Sequence, residues 1–298
     1  MNRSTFLLVI AFIFLWNSGF IGAEYGLPYT GSFTFLFWRY LILTLFLFIY
    51  LHLRNRFQWL GWLSAAPHML VGVLAHGIWL ACVLLALEQG VPAGIVALIV
   101  SLQPLATGAF SGMVTGESIS IQRWLGLIIG FTGVSITVIH RISFTNSGSV
   151  FGYLIPLGSV VAITAASLIQ RKMELNKKSL KPPLDLELFY QCFATTVFMI
   201  LPAIFVEKLY VDWTWEFTYI MLWLVFAVSL GAYALMWLLI ERMDATRVAS
   251  LFYFGPPVTM LMAWVAFGDK LLLMDIAGLA VVMTGVLLAY HDGKASAK

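Results

Sequence analysis

Residues 86–105 read ALEQGVPAGIVALIVSLQPL: an apolar run that stops at Glu88, Gln89 and Gly90, a short turn through Pro92, and a second apolar run with Gln103 and Pro104 inside it. Gly and Pro in quick succession mark a turn, and a turn between two apolar runs is the pattern of consecutive membrane crossings. A bilayer core about 30 Å thick takes about 20 helical residues. Ten such runs are found, over approximately Thr5–Gly22, Phe33–Leu51, Pro67–Leu87, Gly94–Thr115, Trp124–Ile139, Gly152–Ile169, Leu188–Val206, Thr218–Ile240, Val248–Phe267 and Leu271–Tyr290. The expected fold is an all-α membrane protein of ten transmembrane helices.

Composition agrees. Of 298 residues, 61% are hydrophobic and 10% charged, against about 25% charged in a soluble domain. So few charges cannot coat a globule of this size, form a nucleic-acid-binding face or keep a chain disordered. Cys82 and Cys192 both lie in apolar runs, where a thiol acts as a small hydrophobe, and no disulfide framework is expected. The longest polar stretch, Arg171 to Glu187, is too short for a folded domain, so the chemistry is expected within the membrane.

With the N-terminus in the cytoplasm, Arg3, Arg54, Arg56, Arg123, Arg171, Lys172, Lys177, Lys178, Lys181, Arg242, Arg247, Lys294 and Lys298 fall on the inner side and only Arg141, Lys208 and Lys270 outside. That bias predicts both termini inside, in the inner membrane if the source is bacterial. The opening Met-Asn-Arg-Ser with its apolar run has the outline of a secretory signal. It is expected to be retained, because Trp16 and Asn17 sit at its centre and the repeat described next requires this helix.

An offset of 152 residues relates the two halves without gaps over long stretches. Ala93 falls on Ala245, Val96 on Val248, Ala97 on Ala249, Pro104 on Pro256, Gly116 on Gly268, Gly126-Leu127 on Gly278-Leu279 and Thr132-Gly133-Val134 on Thr284-Gly285-Val286. Glu117 meets Asp269, and Phe37-Trp38-Arg39-Tyr40 falls on Phe189-Tyr190-Gln191-Cys192. Because each unit holds five helices, an odd number, the second copy enters from the opposite side. The expected architecture is two inverted repeats, residues 1–141 and 142–298, the arrangement of secondary transporters with a substrate site between the copies.

The block Ala86-Leu87-Glu88-Gln89-Gly90-Val91-Pro92-Ala93-Gly94, continuing to Gln103-Pro104 and Gly116-Glu117, with Trp124-Leu125-Gly126-Leu127 and its echo in the second half, resembles the EamA domain of the drug/metabolite transporter superfamily. Two such domains cover nearly the whole chain. The resemblance implies a ten-helix carrier, usually an exporter of amino acids, related metabolites or drugs, and names no ligand. The second copy departs from the first in Arg242 for Gly90, Arg247 for Ile95, Tyr253 for Ser101 and Pro257 for Leu105, so equal contributions to a pocket do not follow.

Polar and aromatic residues deep in the spans are the candidates for substrate binding: Trp16, Asn17, Arg39, His76, Trp79, Gln103, Gln191, Tyr233 and Tyr253. An ionisable residue at mid-membrane marks a functional site by default. His76 is expected to bond substrate, take a proton, or bond a neighbouring helix. Arg39, roughly 10 Å inside its helix, suits a carboxylate; snorkelling or pairing with Glu24 stays open as the alternative. Asn17, Gln103 and Gln170 either face inward toward solute or tie helices together. Pro104 and Pro256 each remove a backbone bond, which frees the carbonyls of Val100 and Phe252, and are expected as hinges or kinks. Glu88 and Glu241 are expected as gate or cap residues, and Gly108 through Gly112 as a small-residue packing face.

His52, His68, His140 and His291 are read as lying at span ends or in loops, so neither a metal nor a cofactor is expected. The predicted activity is secondary transport of a small organic solute, most plausibly export, with protons as a candidate coupling ion and no enzymatic chemistry. A membrane-embedded enzyme lacks a visible nucleophile and base, and a receptor or assembly subunit is the remaining class. Substrate, direction and a monomeric or dimeric state are not legible.

Overall fold

The computed structural model describes residues 3–116, 120–144, 149–176, 182–243, 248 and 251–295. Glu117, Lys177, Lys178, Lys181, Asp244, Ala245, Arg247, Ala249 and Lys298 lie outside the described residues. Among the described residues the chain is helical, without strands beyond one bridge between Thr30 and Val211. Eight helices are long and apolar enough to cross a membrane: α1 (Ser4–Tyr29), α2 (Ser32–Leu53), α3 (Trp62–Glu88), α4 (Ala93–Val114), α5 (Ile121–Ser143), α6 (Val150–Leu175), α7 (Leu184–Phe205) and α8 (Trp215–Arg242). Two more are apolar: α9 (Phe252–Phe267), shorter than a full crossing, and α10 (Leu273–Ala295). The ten expected runs thus all fall on helices among the described residues, while α9 is shorter there than its expected run from Val248. Trp59, Trp62, Trp213 and Trp215 are exposed at helix ends, where amphipathic rings sit at a membrane interface.

Four helices are irregular. α3 widens into a π-helical stretch at Val73–Ile78 and α8 at Trp223–Ala232. α4 is interrupted at Ser101 and Leu102, and α9 opens with a 3-10 turn at Phe252–Phe254. Pro104 and Pro256 each fall in the first turn of the segment after the interruption. There the missing N–H is one that no helical carbonyl would have met, so the prolines start new segments rather than kink a continuous helix.

α5 lies along α10, α2 along α7 and α4 along α9; α3 packs on α6 and α7, and α1 and α2 on α8. Glycine permits the closest approach. A Cβ on Gly133 of α5 would lie 2.6 Å from the carbonyl oxygen of Gly278 on α10, and one on Gly278 would strike Thr137. Gly108, expected to pack helices, meets nothing within 4 Å and opens onto a cavity instead.

The α5–α10 contact also buries an ion pair. Arg141, assigned above to the outer side of the membrane, is buried on α5, where its Nε donates to Asp275 Oδ1 at 3.1 Å, its Nη2 pairs with Asp275 Oδ2, and Nη2 donates to the Lys270 carbonyl at 2.9 Å. Asp275 also accepts from the Leu272 N–H at 2.9 Å, capping α10. The fork and the cap together satisfy both carboxylate oxygens, which a fully buried acid requires.

One end of the bundle is strapped together by hydrogen bonds. Ser32 donates to Glu88 at 2.6 Å, and Glu207 accepts from the Phe33 and Thr34 N–H groups at 3.0 and 2.7 Å, completing the start of α2. Thr30 donates to the Tyr210 carbonyl at 2.8 Å, and Tyr25 to the Ala266 carbonyl at 3.0 Å, which ties α1 to α9 at the same end.

Removing one partner of a buried pair typically costs about 3–5 kcal/mol. Asp275→Ala is therefore expected to lower the thermal unfolding midpoint of the detergent-solubilised protein sharply, with Asp275→Asn, which keeps part of the cap, between it and the parent. A melting curve unchanged in Asp275→Ala would show that the pair does not hold α10 to α5.

Candidate functional site

The irregular segments meet in the interior, where they surround two adjoining cavities of about 570 and 60 Å³. Trp16, Phe20, Trp79 and Tyr233 line both and form the wall between them. The larger cavity takes in Gln103 to Ser111 on α4 and Leu251 to Pro256 before and in α9. α4 starts, and α9 ends, at the strapped end, so this cavity occupies the far half of the bundle.

Of the nine sequence-predicted binding residues, Trp16, Trp79 and Tyr233 touch both cavities, Asn17, Gln103 and Tyr253 the larger, and Arg39 and His76 the smaller. Pro104 and Pro256 border the larger one as well. Gln191 is the exception: it lies behind His76 and bonds to it. Trp237, further along α8, is 40% exposed and lines neither cavity.

Trp16 packs against Tyr233 at 5.6 Å and edge-on to Phe252 at 4.9 Å between ring centroids. Tyr40 and Tyr233 stand 5.5 and 6.3 Å from the His76 ring. Asn17 donates to the Ile13 carbonyl at 2.7 Å and accepts from Thr259 at 3.1 Å, which joins α1 to α9.

Arg39 does not pair with Glu24. Its Nε and Nη2 donate to Ser229 Oγ at 3.2 and 2.8 Å, its guanidinium carbon lies 5.9 Å from the Tyr40 ring, and it is 7% exposed. Ser229 lies in the π-helical stretch of α8, whose wider turn brings the hydroxyl to α2.

The matching bond in the other half joins α7 to the π-helical stretch of α3. His76 Nε2 and Gln191 Oε1 are 3.0 Å apart, while Gln191 Nε2 donates to Glu187 Oε1 at 3.3 Å. Glu187 also accepts from Gln170 at 3.0 Å and meets His68 Nδ1 at 3.2 Å. The carboxylate requires the amide nitrogen toward it, so the amide oxygen faces His76. His76 then donates through Nε2, leaving Nδ1 as the acceptor of the neutral ring.

His68 and Glu187 were missed in sequence. His68 is 3% exposed and inside α3 rather than at a span end. Glu187 looked like the edge of a polar linker, yet Glu187, Gln191 and Thr195 recur every four residues and make one face of α7. Thr195 follows that spacing by donating to the Gly72 carbonyl at 3.0 Å, where Gly72 lies directly against the Gln191 backbone. Ser229 and Tyr40 carried no sequence signal. Of the expected gate residues, Glu88 bonds Ser32, as above.

Comparison with known proteins bears on this arrangement. Residues 3–139 and 150–291 each match the model of the EamA-like transporter family. An uncharacterized transporter, YvbV, of Bacillus subtilis is 29% identical over 206 residues, 68% of this chain and 65% of its own length. The match thus spans just under two thirds of that relative. A protein of Salmonella typhimurium named "Probable amino-acid metabolite efflux pump" is 20% identical over 97% of this chain and 95% of its own. A solved crystal structure superimposes with a TM-score of 0.61 at 19% identity over 97% of both chains, a likeness of fold alone. With both halves matched and helices long enough to span a bilayer, the chain belongs to the EamA-like transporter family and is an integral, multi-pass membrane protein.

Proposed function

We propose that the chain is a secondary carrier that exports a small organic metabolite by alternating access between two inverted five-helix halves, residues 1–141 and 142–298. The observation that carries this reading is the cavity pair lined by helices from both parts of the chain, the larger cavity lying away from the strapped end. A site near mid-membrane, reachable from one side at a time, is the geometry alternating access requires.

Pairing under the 152-residue offset supports the inverted arrangement. α2 packs on α7, α4 on α9 and α5 on α10, each helix against its counterpart; α1 on α8 corresponds to α6 on α3. Thr44 and Thr196, exactly one offset apart, hydrogen-bond to each other at 3.2 Å, as equivalent residues do beside a two-fold axis. Arg39 and Gln191 are likewise one offset apart, and each bonds the π-helical stretch of the opposite half.

With the termini cytoplasmic, the strapped end would face outward and the larger cavity would lie in the cytoplasmic half, where an exporter loads. Trp16, Trp79, Tyr233 and Tyr253 would contact the solute body, Asn17 and Gln103 its polar groups, and Arg39 and His76, backed by Gln191, its head. Pro104 and Pro256 would act as hinges at the interruptions of α4 and α9. The Salmonella relative's printed name supports efflux of a metabolite. Protons are the proposed coupling ion, with His76 as the group at the cavity that would take one up and Gln191, held by Glu187, as the group that orients its ring.

A screen of cells overproducing the protein for excretion of metabolites, followed by counterflow of the labelled hit in proteoliposomes, tests the carrier reading. Acceleration by the protein is expected; specific binding without flux would replace the carrier by a receptor. Cysteines at the two termini should react with an impermeant reagent from the same membrane face, and labelling from opposite faces would end the inverted-repeat reading.

His76→Ala should lower counterflow at least tenfold while membrane expression falls less than twofold. Pro256→Ala should slow turnover severalfold with little change in binding, since it touches the interruption and not the head pocket; equal flux would remove the hinge role.

A further inference from the structure

Two arginines are buried in this bundle, and the chain treats them differently. Arg141 has Asp275, whereas Arg39, 7% exposed and just as deep in protein, has one neutral hydroxyl, that of Ser229, and no carboxylate within ion-pair distance among the described residues. A guanidinium keeps its charge at physiological pH. Burying it without a counter-charge costs several kcal/mol, a cost that an anion arriving from solution would remove.

A second donor beside the smaller cavity also lacks a partner. Trp79, in the wall between the cavities, keeps its Nε1 buried without an acceptor, and an indole N–H can only donate. Neither cavity has an Asp or Glu in its lining, and Arg39, in the smaller one, is the one Arg or Lys that lines either. An ammonium entering there would find a cation and no acid to pair with.

Size divides the site. The pocket at Arg39 measures about 60 Å³, on a scale where one water takes about 10–15 Å³, which suits a carboxylate and little more. The adjoining cavity of about 570 Å³ is bounded by Trp16, Phe252 and Tyr253 and suits a planar or branched apolar body.

We infer that the site takes a net-negative organic carboxylate, its head on Arg39 and its apolar body among the aromatic residues of the larger cavity, in preference to a zwitterionic amino acid or an amine. This rests on the carrier reading for its transport aspect and on the cavity alone for its binding aspect. It narrows the metabolite class to acids without a free amine, such as 2-oxo or aryl-acetic acids.

Phenylpyruvate, phenylalanine and phenethylamine carry the same benzyl body with charges of −1, 0 and +1, and indole-3-acetate and 3-methyl-2-oxobutanoate vary the body at charge −1. Thermal-shift and tryptophan-fluorescence titration of the purified full-length protein, at constant ionic strength with chloride as a control, should rank at least one of the acids tenfold or more above phenylalanine and phenethylamine. Arg39→Gln should erase that preference. Ser229→Asp supplies the guanidinium with an internal carboxylate, so it should abolish binding of the acid while leaving the melting temperature unchanged or higher, a combination that a purely structural Arg39 would not give.

Equal or tighter binding of phenylalanine or phenethylamine, no binding of any acid, the same stabilisation by chloride alone, or full acid binding in a folded Ser229→Asp protein would each overturn the proposal. Binding of the acid without counterflow would leave the anion site standing and remove the carrier reading. Counterflow of the amine or the zwitterion in preference to the acid would do the reverse.

Discussion

Hydrocarbon offers a backbone no partner, so each N–H and carbonyl in a bilayer must be satisfied by the helix itself, by protein or by enclosed water. This constraint explains where the molecule departs from regular helix. The π-helical stretches of α3 and α8, the interruption of α4 and the 3-10 start of α9 all border the two cavities or their polar partners. None lies on α5 or α10, the pair that packs through glycines and the Arg141–Asp275 bond. Irregular backbone and cavity thus share one location for a physical reason: an incomplete turn is tolerated where protein or an enclosed cavity, not lipid, surrounds it.

The polar bonds divide along the same line. Those at the strapped end join the exposed Glu88 and half-buried Glu207 to the buried start of α2. Net hydrogen bonds of this kind are worth about 1 kcal/mol. The Arg141–Asp275 pair has no water to fall back on and belongs to the part of the bundle that keeps its shape. Between them, the His76–Gln191–Glu187–His68 chain fixes a ring tautomer at the cavity from a carboxylate nearer the helix end, so a change of charge at Glu187 would be felt at His76.

Much of this was legible in the sequence. Composition and run length gave the all-helical membrane class, since too few charges exist to cover a soluble surface. Aromatic and polar residues deep in apolar runs gave eight cavity-lining side chains, since a group costly in lipid turns toward protein or water. Other residues were misjudged where sequence distance and spatial neighbourhood differ. Glu187 lay at the border of a polar linker and His68 close to the start of a span, yet both are buried between helices. Gly108 had the spacing of a packing face but opens onto a cavity, because spacing specifies a face and not what lies opposite it.

What the sequence by itself determined is periodic or additive: the class, the runs, the 152-residue echo and the prolines at matching positions. What only tertiary structure decided is partnership. That Arg39 meets Ser229 and not Glu24, while Arg141 meets Asp275, depends on contacts between residues 190 and 134 positions apart. Such contacts are set by how whole helices cross and by where a π-turn rotates one side chain toward another helix, and neither is encoded in local composition.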